Sequence, residues 1–250
     1  MPVASNQRSV PCEACPFRSL HGVFRDFTSD ELQFVTGFKA GELSVEAGNT
    51  FLAEGTSSPD LFTVLSGWSF RYKTLPDGRR QILNYVFPGD FVGLQSAVLD
   101  QMKHSVEALT DVVLCMFPRE RLWELHRDHP TLAFDLTWLC AREERMIDEQ
   151  LLSVGRRTAM ERTAYLLLHL FTRAKHLGLA EGGAVPFPLT QKHIADTLGM
   201  SLVHTNKTLQ RLRRSKALHW DRTHLHVLDP SALAAIAQYD APDNETRPFI

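Results

Sequence analysis

The stretch that most restricts what this chain can fold into is residues 189–214, LTQKHIADTLGMSLVHTNKTLQRLRR. Thr190 is a good helix N-cap, and the periodicity behind it predicts a helix to about Leu198. Gly199 and Met200 make a tight turn. Ser201 then caps a second helix, expected to run to about Arg214. Two short helices on a glycine-containing turn form a helix-turn-helix. The following ALHWDRTHLHVL alternates around Asp221–Thr223 and predicts a small hairpin, a wing.

Helical spacing assigns faces to the second helix. Thr205, Thr208, Leu209 and Leu212 share one side and are expected to pack inward. Ser201, Leu202, Val203, His204, Asn206, Lys207, Gln210 and Arg211 remain for the outer side. An α-helix fits the major groove of duplex DNA and reads base edges with its N-terminal half. Asparagine can take adenine bidentately, lysine can donate to guanine, and an apolar side chain can touch a thymine methyl. Arg211, Arg213, Arg214 and Lys216 are better placed for phosphates, and Lys192 on the first helix can reach the backbone. A helical hairpin with a solvated basic face is the plainer alternative. Residues 1–152 carry 14 Lys and Arg against 21 Asp and Glu, a net −7, whereas residues 153–250 carry 13 against 8, a net +5. An acidic half joined to a basic half suggests two jobs, one with an anionic partner, with chance segregation as the alternative.

Upstream the texture differs. From about 39 to 117, short stretches such as LFTVLSGWSFRYKTL and RRQILNYVF are rich in aromatic and β-branched residues, and glycines punctuate them. PDGR (Pro76–Arg79) suits a hairpin turn. This predicts a small antiparallel sandwich or barrel. After Pro118, RERLWELHRDHP predicts a short helix. TLAFDLTWLCAREERMIDEQLL then puts Leu132, Leu136, Leu139, Met146, Ile147 and Leu151 at helical spacing, and the first five are expected to pair with their twins in a homodimer. Packing against its own β domain is the alternative. TAMERTAYLLLHLFTRAKHLG predicts a further helix ending near Gly178. The fold class is therefore α+β. Expected segments are an arm (1–25), a β domain (26–117), the long-helix region (118–153), the helix-turn-helix domain (154–240) and a loose tail (241–250).

At 250 residues, 44% of them apolar, the chain can bury a proper core. No apolar run approaches the roughly 20 residues of a membrane helix, and MPVASNQRSV lacks the apolar centre of a signal peptide. The expectation is a cytoplasmic protein without membrane partners, whose four cysteines form no disulfide framework. No nucleophile–base constellation, phosphate loop or HExxH motif suggests an enzyme.

A glycine-punctuated β domain, a long helix and a winged helix-turn-helix, in that order, resemble the CRP/FNR family of bacterial transcription regulators. The resemblance runs from Cys12 to about Ala237 and is most specific at FPGDFVG (Phe87–Gly93) and LTQKHIADTLGMSLVHTNKTLQRL. It implies a double-stranded β-helix (β-roll), a dimer on an interrupted palindrome of double-stranded DNA, and contact with RNA polymerase. The family's founding regulators carry glutamate where this chain has Val203 and arginine where it has Lys207, so the resemblance leaves the operator sequence open.

The resemblance also frames the first half. Members that bind cyclic AMP carry a glutamate after the glycine motif and an arginine–serine pair further on. Here Leu94, Met102 and Lys103 stand there, and a buried phosphate without the arginine lacks its bidentate clamp, which argues against cyclic AMP. The oxygen-sensing branch holds an iron–sulfur cluster with four cysteines. Cys12, Cys15 and Cys115 match three of those positions, and His21 stands at the remaining one. Three thiolates and an imidazole are a sensible set for iron–sulfur or zinc. Thiol redox sensing, structural cysteines in an effector-independent regulator, and a Cys/His redox protein are the alternatives. Cys140 reads as packing.

Overall fold

The alternating stretches after residue 39 become antiparallel strands in the computed structural model, which describes residues 9–221, 223–240 and 246–250. The first eight residues of the expected arm and 241–245 of the expected loose tail lie outside the described residues. The chain divides into two units. Unit 1 comprises 1–73, 85–144 and 245–250, and unit 2 comprises 74–84 and 145–244.

Unit 1 opens with two 3-10 turns, Cys12–Ala14 and Pro16–Ser19, and helix α1 (Ser29–Phe38). Thr28 and Glu31 close α1 with a reciprocal capping box. One four-stranded sheet runs β1 (Gly41–Val45), β8 (Val112–Pro118), β3 (Asp60–Ser66) and β6 (Phe91–Val92). The other runs β2 (Thr50–Leu52), β7 (Ser105–Ala108), β4 (Ser69–Thr74) and β5 (Arg80–Val86). Leu61–Leu65 of β3 are buried without interruption, as suits a strand covered on both faces. Val64, Val106, Met102 and Leu114 fill the core between strands. Gly67 has φ +85°, and a Cβ there would overlap the Asp111 carbonyl and Val112, so this turn needs glycine.

A second core in unit 1 gathers Phe38, Leu61 and Phe117 with Leu125 of α3 (Leu122–Asp128) and Leu132, Leu136 and Leu139 of α4 (Pro130–Gly155). This corrects the dimer stripe. Leu132, Leu136 and Leu139 are almost fully buried within the chain's own unit and cannot also meet a second chain. Each such leucine is worth about 1.5–3 kcal/mol there. Of the five residues expected at the seam, Met146 is half-buried and Ile147 is exposed.

A second correction concerns the tail. Residues 246–250 are not loose. Arg247 exchanges backbone hydrogen bonds with Val23 and Arg25, and Phe249 and Ile250 are buried in unit 1. The pattern of two prolines among polar residues concealed an aromatic–aliphatic plug.

Unit 2 is built around α5 (Ala159–His176), capped by Thr158 and Glu161 and buried along Ala164, Leu167, Leu170 and Phe171. It packs against α7 (Leu202–Arg214) and α8 (Pro230–Ala237). A three-stranded sheet, β10 (Leu218–Trp220), β11 (His224–Val227) and β9 (Ala184–Pro186), in that order, makes the wing. Helix α6 (Gln191–Leu198) completes the unit. The expected boundary at 153/154 moves to 144/145, inside α4, and the tip of the β4–β5 hairpin falls in unit 2.

Candidate nucleic-acid interface and thiol site

Helices α6 and α7 form where their caps dictate. The Thr190 hydroxyl accepts from the His193 amide, and the His193 ring nitrogen accepts from the Thr190 amide. Gly199 ends α6 in the left-handed conformation that favours glycine, with φ +61°. The Ser201 hydroxyl accepts from the His204 amide and starts α7. That bond occupies the Ser201 side chain as a cap.

Burial sorts α7 as the spacing predicts. Thr205, Thr208, Leu209 and Leu212 face inward. Thr205 and Thr208 hydroxyls donate to the carbonyls of Ser201 and His204, which satisfies them away from water. Leu202, Val203, His204, Asn206, Lys207, Gln210, Arg211 and Arg214 are exposed. Arg213 differs from expectation: its guanidinium donates to the Trp220 carbonyl at 2.6 Å and ties α7 to the wing. Lys192 is exposed but shares Asp196 at 3.2 Å, which tempers its charge toward a phosphate.

Sequence reasoning missed the residues that brace α6. Arg80 pairs with Asp196 at 3.1 Å, and Gln81 donates to the Thr197 carbonyl at 2.8 Å, all within unit 2. Burial, with Arg80 adding to it, holds the His193 imidazole down at about 4. Hairpin residues such as these carry no local signal of a partner more than a hundred positions away. In the wing turn, Asp221 accepts from the Thr223 and His224 amides and is held down at about 2.

In unit 1 the three expected thiols lie near one another. Cys12 starts the first turn, Cys15 follows it, and Cys115 sits mid-β8 opposite Thr63 of β3 and Glu42 of β1. Burial raises all three thiols, Cys115 to about 12, and each is lowered in part by Lys39. Lys39 Nζ itself donates to Glu42 at 2.6 Å and to the Val10 carbonyl at 2.7 Å. These neighbours were missed because Lys39 and Glu42 read as ordinary surface charges. His21 is exposed and forms an isolated bridge with Phe24. Among the described residues, no group of three or more His, Cys, Asp or Glu is arranged to hold a metal ion. Cys140 is exposed on α4 within the single chain.

The positions that would hold a cyclic nucleotide are otherwise occupied. Met102 is buried in the β core, and Leu94 begins α2 (Leu94–Leu99) against the second core. The Lys103 amide donates to Gln95 at 3.0 Å, and its side chain is exposed. Buried Arg71 of β4 donates to His104 at 3.0 Å and pairs with Glu143 of α4. Burial, then Arg71, pushes the His104 imidazole down to about 3.

Comparison with known proteins bears on both sites. Residues 42–129 match the cyclic nucleotide-binding domain, and residues 161–236 match the Crp-like helix-turn-helix domain. The chain is 31% identical to the nitrogen fixation regulation protein FixK of Bradyrhizobium diazoefficiens, over 76% of this chain and 79% of that one. It is 30% identical to the transcriptional activator protein FnrL of Cereibacter sphaeroides, over 92% and 93%. The solved structure of FixK2 from Bradyrhizobium japonicum superimposes with a TM-score of 0.72 at 28% identity, covering 80% of this chain and 98% of that one.

Proposed function

Because this chain belongs to the CRP/FNR family of transcription regulators, a non-enzymatic family with a helix-turn-helix DNA-binding domain, we propose that it acts as a homodimer on an interrupted palindrome. Each α7 enters the major groove of one half-site. The observation that carries this reading is the outward face of α7, where Val203, Asn206, Lys207 and Gln210 stand free over an inner face of Thr205, Thr208, Leu209 and Leu212. Arg211 and Arg214 extend that face toward phosphates. Transcription control in this reading includes contact with RNA polymerase. The test is binding to promoter fragments carrying such palindromes across a salt series. Affinity falls steeply with salt, because phosphate contacts release counterions. Asn206→Ala and Lys207→Ala each cost about 1–3 kcal/mol on the specific site and little on random DNA. Binding without salt dependence would sink the proposal.

Dimerisation is assigned to the exposed stripe of α4. Thr137, Cys140, Glu144, Ile147 and Leu151 are all exposed and recur at alternating steps of three and four. That is the heptad spacing of a two-stranded seam.

The regulatory signal is assigned to the thiol site. An iron–sulfur cluster would need a fourth donor beside Cys12, Cys15 and Cys115, and His21, the candidate, is exposed, while among the described residues no group of three or more His, Cys, Asp or Glu is arranged for a metal. As they stand these residues do not fit a four-ligand centre, so control is assigned to the thiols beside Lys39. Anaerobic purification with iron and sulfide analysis, and DNA binding before and after air, tests this. Air alters DNA binding in the wild type and not in Cys115→Ser, and stoichiometric iron with acid-labile sulfide would overturn it. Cyclic AMP has no place in the proposal, since Met102 and Lys103 stand where the cyclic-AMP-binding members carry the arginine–serine pair. Calorimetry with cyclic AMP gives no binding heat.

A further inference from the structure

Residues 246–250 have no role in the DNA-binding reading, yet they are held by every kind of contact. Arg247 lies beside Phe24 as a parallel bridge, with its amide donating to the Val23 carbonyl at 2.9 Å and its carbonyl accepting from the Arg25 amide at 2.8 Å. Its guanidinium donates to buried Asp90 at 2.7 Å and to the Pro88 carbonyl at 2.6 Å, and stacks 4.4 Å from the Phe24 ring. Asp90 also accepts from the Phe87 amide at 2.8 Å and from Arg142 of α4 at 3.3 Å. Gly89 has φ +81°, and a Cβ there would overlap Phe24 and the Arg247 guanidinium, so the turn is shaped to admit this arginine. Phe249 sits among Phe17, Phe24 and Phe27, with ring centroids 5.5, 5.2 and 4.7 Å away.

The position of this plug matters. Phe17 lies two residues after Cys15, in the turn that follows it. The Ile250 backbone oxygen accepts from the Thr63 hydroxyl, and Thr63 is the β3 partner of Cys115. Ile250 shares a core with Leu61 and Phe117, and Cys12 and Cys115 pack at the edge of that core. One short segment thus grips the arm bearing Cys12 and Cys15 at one end, and the strand pair bearing Cys115 at the other.

We propose that residues 247–250 are an intramolecular latch on the thiol site: seated, they hold the arm against β3 and β8 and restrict access to half-buried Cys115, and occupation of Cys115 unseats them. The two events are linked, so each weakens the other equally. The latch stands on contacts within unit 1 and does not depend on the DNA-binding proposal.

The test is the alkylation rate of each cysteine by iodoacetamide in the reduced 250-residue chain, read by peptide mass spectrometry. The sulfur displaces iodide and the thiol proton passes to buffer. In Phe249→Ala and Arg247→Gln, Cys115 reacts roughly tenfold faster or more, as expected when a local opening is stabilised. Cys140 of α4, which is not one of the residues named above as holding 247–250, keeps its wild-type rate and is the internal reference. A Cys115 rate within about twofold of wild type, or a parallel rise at Cys140, would overturn the latch. Hydrogen exchange of the wild type covers the case in which the variants fail to fold. Alkylating Cys115 strips protection from the Arg247 and Arg25 amides, whereas unchanged protection counts against the proposal.

Discussion

His104 and His193 show how burial turns single residues into pH-dependent supports. Folded, their imidazoles stay neutral down to about 3 and about 4, whereas 6.5 is the ordinary value. As pH falls the unfolded chain takes up these protons first, so stability drops from about 6.5 downward. Urea midpoints should therefore fall between pH 7.5 and 5.0. His104→Gln, which keeps an acceptor for Arg71, should flatten that dependence, and an unaltered slope would contradict the assignment. Asp90 is the other decisive single residue. Asp90→Ala deprives buried Arg247 of its carboxylate partner and should cost about 3–5 kcal/mol in a denaturation experiment, the usual result of halving a buried pair. The glycine motif containing Asp90 was legible in the sequence, but Arg247 was not, since nothing local marks it as a partner 157 positions away.

At the scale of elements, α4 carries two stripes with different jobs. Leu132, Leu136 and Leu139 serve the chain's own core, while the stripe ending in Ile147 and Leu151 is exposed. Periodicity alone identified α4 as amphipathic but could not say which neighbour its leucines would meet. Ile147→Glu with Leu151→Glu should give a monomer in analytical ultracentrifugation without lowering the melting temperature appreciably. In a parallel pairing Cys140 faces its twin, so copper-phenanthroline oxidation should yield a disulfide-linked dimer that Cys140→Ser abolishes. Absence of that species in the wild type would argue for a different seam. Helices α6 and α7 are the opposite case. Caps at Thr190 and Ser201, the Gly199 turn and the inward row on α7 were all readable, because each is a local rule acting within four residues.

For the whole molecule, the acidic first half and basic second half coincide with the cyclic nucleotide-binding and helix-turn-helix domain matches. A Cys115→Ser chain should keep its fold, since the thiol is held protonated and makes little use of its charge, while losing any response of DNA binding to thiol reagents. Retention of that response would move the signal elsewhere. By itself the sequence determined the α+β class, the order of β domain, long helix and winged helix-turn-helix, and the outward face of α7. These follow from caps, turn residues and periodicities that act over a few positions. Only the tertiary structure decided that Lys39 lies beside the three thiols, that the leucines of α4 are spent within their own unit, and that residues 246–250 plug unit 1. Each of these is a pairing of distant segments, settled by which buried surfaces and buried charges find complements, and short-range pattern carries no record of that.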